Sequence, residues 1–214
     1  LFDSQKNGVL FVATDSYRLS YQKTPLKTLR ELAKPIVIPA RVLKEMLFIK
    51  EDEDQINFFV SEDSNQILLS LGDTVLVGRL IDAEYPSYGK IIPTDFSTKA
   101  SFNRDEMANA IKICSVFARE TANIVKVSLE KDKITISANS PSVGEDLVEV
   151  DAKTSGEENE IAFNAKYLLD VLSSVDEEEL IFEMTGPLNP GVFKIKEDNS
   201  FLHLVMPIRV QGES

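Results

Sequence analysis

The sequence predicts an α+β protein made of two related units, each mostly strand with one or two helices laid on one face. Three observations carry this expectation: a self-similarity at an offset of 125 residues, short alternating runs separated by turn residues, and an amphipathic stretch over residues 104–119. The length of 214 residues suits two domains with ample material for cores.

The offset is visible at four places. Ile36-Val37-Ile38-Pro39-Ala40-Arg41-Val42-Leu43-Lys44-Glu45-Met46-Leu47 lies on Ile161-Ala162-Phe163-Asn164-Ala165-Lys166-Tyr167-Leu168-Leu169-Asp170-Val171-Leu172. Both read as a short strand, a cap-like break and a helix with apolar spacing. Val9, Phe11 and Ala13 fall on Ile134, Ile136 and Ala138, in strand-like alternation. Ile56 falls on Ile181, each opening a strand, and Leu80-Ile81 falls on Val205-Met206 at strand ends. Two unrelated units of similar size would rarely match four times at one offset.

Residues 124–129 and 133–138 flank Glu130-Lys131-Asp132, and residues 67–71 and 74–80 flank Gly72-Asp73; both read as hairpins. The second unit opens with a strand near residues 99–102 and the stretch 104–119. Subtracting 125 places their counterparts before Leu1, so the first unit is expected to lack its opening strand and helix. The boundary is expected after Pro93, giving residues 1–93 and 94–214.

The formal net charge of −12 speaks against a nucleic-acid partner unless the charge is segregated. At about 100° per residue, Met107, Ala110, Ile111, Cys114, Phe117 and Ala118 share one arc, the core face. Arg104, Lys112 and Arg119 share another, and Arg41, Lys44 and Lys166 add basic residues to the other two helices. Acid collects in residues 51–54, 157–158 and 176–179, which read as loops. Such segregation suits a basic surface that attracts phosphates without reading bases, and equally an ordinary solvated helix face.

One cysteine, Cys114, and one histidine, His203, provide no disulfide framework and no metal-ligand cluster. No Gly-x-Ser-x-Gly or phosphate-binding loop occurs, so neither an enzyme nor a metal or cofactor is expected. His203 alternates with Leu202 and Leu204 and is expected to point outward from a strand. No run approaches the ~20 apolar residues of a membrane span, and the expected home is the cytoplasm.

Four segments stand out as motifs: Ala13-Thr14-Asp15-Ser16-Tyr17-Arg18-Leu19-Ser20, then Tyr85-Pro86-Ser87-Tyr88-Gly89-Lys90-Ile91-Ile92-Pro93. Glu160-Ile161-Ala162-Phe163-Asn164 with Tyr167-Leu168-Leu169-Asp170-Val171-Leu172, and Val205-Met206-Pro207-Ile208-Arg209-Val210, complete the set. In this order the four resemble segments of one family, the bacterial DNA polymerase III beta subunit, the DNA sliding clamp. The resemblance implies repeated domains with antiparallel sheets outside and helices on the inner face, assembled as a head-to-tail homodimer ring around duplex DNA. Residues 1–93 would be most of the middle domain and 94–214 the C-terminal one, with the first domain absent. Arg41, Lys44, Arg104, Lys112, Arg119 and Lys166 would face DNA, and Val116 and Phe117 the other protomer.

The family also implies a pocket between the two domains that takes short peptides from the replicative polymerase subunit, the clamp loader and repair polymerases. The matching positions begin with Thr14, Tyr17, Arg18 and Leu19, then Pro86, Lys90 and Ile91. Asn164, Tyr167, Leu188 and Pro190 follow, and Leu204, Val205, Met206, Pro207, Ile208, Arg209 and Val210 close the set. Leu19, Ile91, Leu188, Leu204, Met206 and Pro207 would form an apolar cleft, with Arg18 and Arg209 holding polar or acidic groups at its rim. Read without the family, Leu204 and Val205 are plain strand core. Lys90 stands where the family often has Arg, and residues 211–214 extend past the usual end.

Overall fold

A computed structural model describes residues 1–26, 32–49, 55–61, 63–142 and 144–209. The chain opens with strands β1 (Phe2–Gln5), β2 (Gly8–Thr14) and β3 (Arg18–Thr24), followed by helix α1 (Ala40–Met46). A meander follows: β4 (Asn57–Ser61), β5 (Gln66–Leu71) and β6 (Thr74–Arg79). Next come β7 (Thr98–Asn103), α2 (Arg104–Phe117), β8 (Ile124–Glu130), β9 (Lys133–Ser140), β10 (Gly144–Gly156) and β11 (Asn159–Asn164). The chain ends with α3 (Ala165–Leu172), β12 (Glu179–Met184), β13 (Gly191–Ile195) and β14 (Asp198–Val205).

Two compact units result. One comprises Leu1–Val12 and Lys23–Ser87, the other Ala13–Gln22 and Tyr88–Ser214. In the first, β1 pairs with β2, and β4, β5 and β6 form an antiparallel sheet. Val9, Ile36, Val42, Met46, Ile67 and Leu69 make its core. Helix α1 lies close on β6: a Cβ at Gly78 would come within 2.8 Å of both Val42 methyls, so only glycine fits there.

In the second unit the order is β3-β14-β13-β12-β7-β10-β9-β8-β11, every pair antiparallel. Helices α2 and α3 cover one face and bury Met107, Ile111, Cys114, Leu168 and Val171 against Phe102, Phe163, Phe182 and Phe193. Asn103 caps α2, its side-chain oxygen accepting from the amides of Asp105 and Glu106 at 2.9 and 3.1 Å. Asn164 caps α3 in the same way, accepting from the Lys166 amide at 3.0 Å. Those caps fix where each helix leaves its strand.

The repeat holds down to strand register. Phe2 pairs with Phe11 and bridges Ile36. Adding the offset turns these partners into Val127 with Ile136 and Val127 with Ile161, both of which are pairs in the second unit. The two units are therefore the same construction, built with different side chains.

Three expectations need correction. Residues 36–38 form no strand, only a bridge in which Phe2 and Ile36 exchange backbone hydrogen bonds of 2.8 and 2.9 Å. Pro35 and Pro39 flank the run and supply no N–H donors, whereas its counterpart β11 has Glu160 and Asn164 there. The stretch 104–119 is α-helical only to Phe117 and tightens into a 3-10 turn over Ala118–Glu120. His203 is buried, because its strand lies inside the sheet with neighbours on both sides and its row of partners, Phe193 and Ser20, faces inward. Residues 51–54, expected to form an acidic loop, lie outside the described residues.

Candidate functional site

The start of β3 is set by a local turn. Asp15 Oδ1 accepts from the amides of Tyr17 and Arg18 at 3.1 and 3.0 Å. Thr14 Oγ1 donates to the Arg18 carbonyl at 2.8 Å, and Ser16 takes a φ of +76°. A short Asp side chain closing onto amides two and three residues ahead is the chemistry of such turns. Tyr17 is thereby left 62% exposed while Arg18 enters the strand.

Arg18 then reaches helix α3. Its Nη1 donates to Asp170 Oδ2 at 2.6 Å, and its Nε to Asp15 Oδ2 at 3.0 Å. The guanidinium carbon stands 4.7 Å from the centre of the Tyr167 ring, and Tyr17 stacks on the same ring at 6.2 Å and 26°. Tyr167 and Asp170 are three residues apart on α3, so one helical face presents both. Partial burial opposes ionisation of Asp15, but its hydrogen bonds from Arg18 and the two amides outweigh this and hold the carboxyl below its ordinary range. Burial likewise disfavours charge on Arg18, and its bonds to Asp170 and Asp15 more than compensate.

Next to this cluster, the end of β14 and the start of β13 come into line. Arg18 pairs with Val205, and Val205 with Gly191. Gly191 is required, since a Cβ would lie 2.5 Å from the Phe182 ring and 2.6 Å from that of Phe163. Beyond β14 the chain crosses the unit: the Met206 amide donates to the Tyr17 carbonyl and that of Ile208 to the Ala162 carbonyl on β11, each at 2.8 Å. Met206 and Arg209 are exposed, Pro207 and Ile208 half-buried.

Of the expected peptide positions, Thr14, Tyr17, Arg18, Tyr167 and Met206 are brought together, with Asn164 capping the helix that carries Tyr167, while Ile208 is held at β11 by the Ala162 carbonyl. Leu19, Leu204 and Val205 are buried strand residues. Leu188 is 63% exposed and Pro190 half-buried in the turn before Gly191. Lys90 and Ile91 are exposed, and among the described residues no hydrogen bond or ring contact ties them to Arg18. Pro86 is exposed in the first unit. Val210 lies outside the described residues.

Asp15, Ser20 and Asp170, which lie inside the family-like segments, and His203, expected to point outward, belong to this region, though none of them was among the expected peptide positions. His203 Nδ1 and Ser20 Oγ are 2.7 Å apart, and among the described residues the buried Nε2 has no partner. Burial first, then the Arg18 charge, pushes the imidazole down to about 4, against a smaller pull upward from Asp15 and Asp170. The helical spacing of Tyr167 and Asp170 was a usable signal. The pairing of positions 20 and 203 left none.

The basic positions divide. Arg41 and Lys44 on α1, Lys112 on α2, Arg119 after it and Lys166 on α3 are exposed. Arg104 leaves the expected stripe: its Nη1 donates to the Val175 carbonyl at 2.5 Å and its Nη2 meets Asp105 at 2.9 Å. At the first turn of α2 its long side chain folds back along the adjoining chain, which helical angle alone could not reveal. Val116 is 56% exposed, and Phe117 is packed against the core. Among the described residues no group of three His, Cys, Asp or Glu side chains could hold a metal, and no helix is long and apolar enough to cross a membrane.

The repeated unit, helices over an antiparallel sheet, defines the class as a clamp fold. A crystal structure of the DNA polymerase sliding clamp from Bacillus subtilis matches with a TM-score of 0.91 at 31% identity, covering 98% of this chain and 56% of that one. The chain belongs to the DNA polymerase III beta subunit family: the model of the central domain matches residues 1–87 and that of the C-terminal domain residues 89–209. The beta sliding clamp of Staphylococcus aureus (strain Mu50 / ATCC 700699) is 35% identical over 208 residues, 96% of this chain and 54% of that protein. The beta sliding clamp of Staphylococcus epidermidis is 34% identical over the same shares. The chain thus spans about half the length of the curated relatives it matches.

Proposed function

We propose that this chain supplies the middle domain (residues 1–93) and the C-terminal domain (94–214) of a DNA polymerase processivity factor, a clamp that encircles duplex DNA and tethers replication proteins. It works in the cytoplasm by topology and binding, without catalysis. Val116 and Phe117 contribute to closing a homodimer ring. The exposed Arg41, Lys44, Lys112, Arg119 and Lys166 attract DNA phosphates through charge, without sequence preference. Replicative polymerase subunit, clamp loader and repair polymerases insert a short peptide beside Tyr17, Arg18, Tyr167 and Met206.

The observation that carries the peptide site is the combination of an exposed tyrosine, a guanidinium held in place and a strand end from which Met206 projects. Rigid aromatic and arginine groups with an apolar neighbour are what peptide-binding hot spots are made of. A peptide from the C-terminal end of the replicative polymerase subunit is expected to bind with a Kd in the micromolar range, roughly −8 kcal/mol. Tyr167→Ala weakens it about tenfold or more by calorimetry; equal affinity for both proteins refutes the site.

DNA binding has its own test. Lys112→Glu with Arg119→Glu shortens retention of the full-length ring on circular DNA and flattens its salt dependence. Peptide affinity stays unchanged. Loss of both activities together, or of neither, counts against separate DNA and peptide surfaces.

A further inference from the structure

An arginine at a binding site is normally read as a receptor for acidic groups, because its planar fork matches a carboxylate. Arg18 is differently placed. Its Nε is taken by Asp15 and one Nη1 hydrogen by Asp170, so one guanidinium faces two carboxylates and the cluster carries a formal charge of one negative unit. The geometry is built, not incidental. Asp15 is fixed by two backbone amides, and Asp170 stands on the same helical face as the Tyr167 ring beneath the guanidinium. Asp170 is 43% exposed, so its charge is presented to an arriving ligand.

We propose that Asp170 determines the charge specificity of this site: it turns the Tyr17–Arg18–Tyr167 ledge from an acid receptor into a platform that prefers neutral, planar side chains over acidic ones. The inference rests on the peptide-site reading above. A carboxylate approaching Arg18 meets two fixed negative groups at close range. A carboxamide or aromatic ring meets none of that repulsion and can stack on exposed Tyr17, and a carboxamide oxygen can also accept from the remaining guanidinium N–H groups. Asp15 contributes the same sign of charge but is committed to the turn, so Asp170 is the residue whose charge can be removed without refolding the loop.

The test uses synthetic peptides from the C-terminal end of the replicative polymerase subunit, each polar position made in turn as Gln and as Glu. Binding is measured by calorimetry to the wild-type chain, Asp170→Asn and Asp170→Glu. In at least one position the Gln peptide is expected to bind the wild type about three- to fivefold tighter than its Glu twin, the range of an exposed charge pair. Asp170→Asn, which keeps an oxygen for Arg18, brings that ratio to about one, and Asp170→Glu restores it. A merely structural role would weaken both twins equally and leave the ratio untouched. Binding with a ratio that Asp170→Asn does not change overturns this inference alone. Binding of no peptide by any of the three proteins overturns the peptide site and the inference with it.

Discussion

Phe163→Ala is expected to lower the unfolding free energy by about 3–5 kcal/mol, the cost of emptying a large aromatic site in a packed core. Phe163 is fully buried, meets the Phe182 ring edge-on at 6.0 Å, and fills the space that Gly191 leaves beside it. Its strand also carries the Ala162 carbonyl that anchors Ile208 and the Asn164 side chain that caps α3. The cavity therefore sits under both supports of the proposed peptide site. Urea unfolding followed by circular dichroism measures the loss. Phe163→Leu should lose less than half as much, and a loss below about 1 kcal/mol for Ala would mean that neighbouring side chains collapse into the gap.

His203 makes stability depend on pH. Its folded-state value of about 4 lies below the ordinary 6.5, so between these two values the unfolded chain binds the proton and the folded one does not. Stability from this group is full above pH ~6.5, falls as pH drops, and is exhausted below pH ~4. The span corresponds to about 3 kcal/mol at ~1.4 kcal/mol per pH unit. His203→Gln keeps hydrogen-bonding capacity toward Ser20 and cannot titrate in this range. The difference between wild type and His203→Gln should therefore change steadily from pH 6.5 to 4 in urea midpoints. Parallel curves for the two proteins would rule out a buried neutral imidazole.

Much of the architecture was legible because it depends on period and punctuation. The hairpins around Gly72 and Lys131, the apolar face of α2 and the break before α3 all follow from local chemistry, and each is present. Strand β10 was missed, because Glu145, Asp146, Glu149, Asp151 and Lys153 make its sequence read as surface. Its backbone is satisfied in two successive halves, residues 144–151 by β9 and residues 152–156 by β7, a fact of pairing that no local pattern carries.

The proposed site divides the same way. Arg18, Tyr17 and Tyr167 were placed at the site through family resemblance, whereas Asp170 and His203 were not assigned to it, since the Arg18–Asp170 and Ser20–His203 contacts span 152 and 183 residues and local spacing does not record them.

By itself, the sequence determined that the chain is two copies of one α+β unit, that its helices carry the basic residues and that it resembles the clamp family. Those features are periodic or local, and survive in one dimension. Only the tertiary structure decided that Arg18 is already held by two carboxylates, that Arg104 turns back to the Val175 carbonyl and that His203 lies neutral inside the sheet. The physical reason is common to all three. A side chain's charge state and direction are set by what the fold places within a few ångströms, and strand pairing brings together residues that the chain keeps far apart.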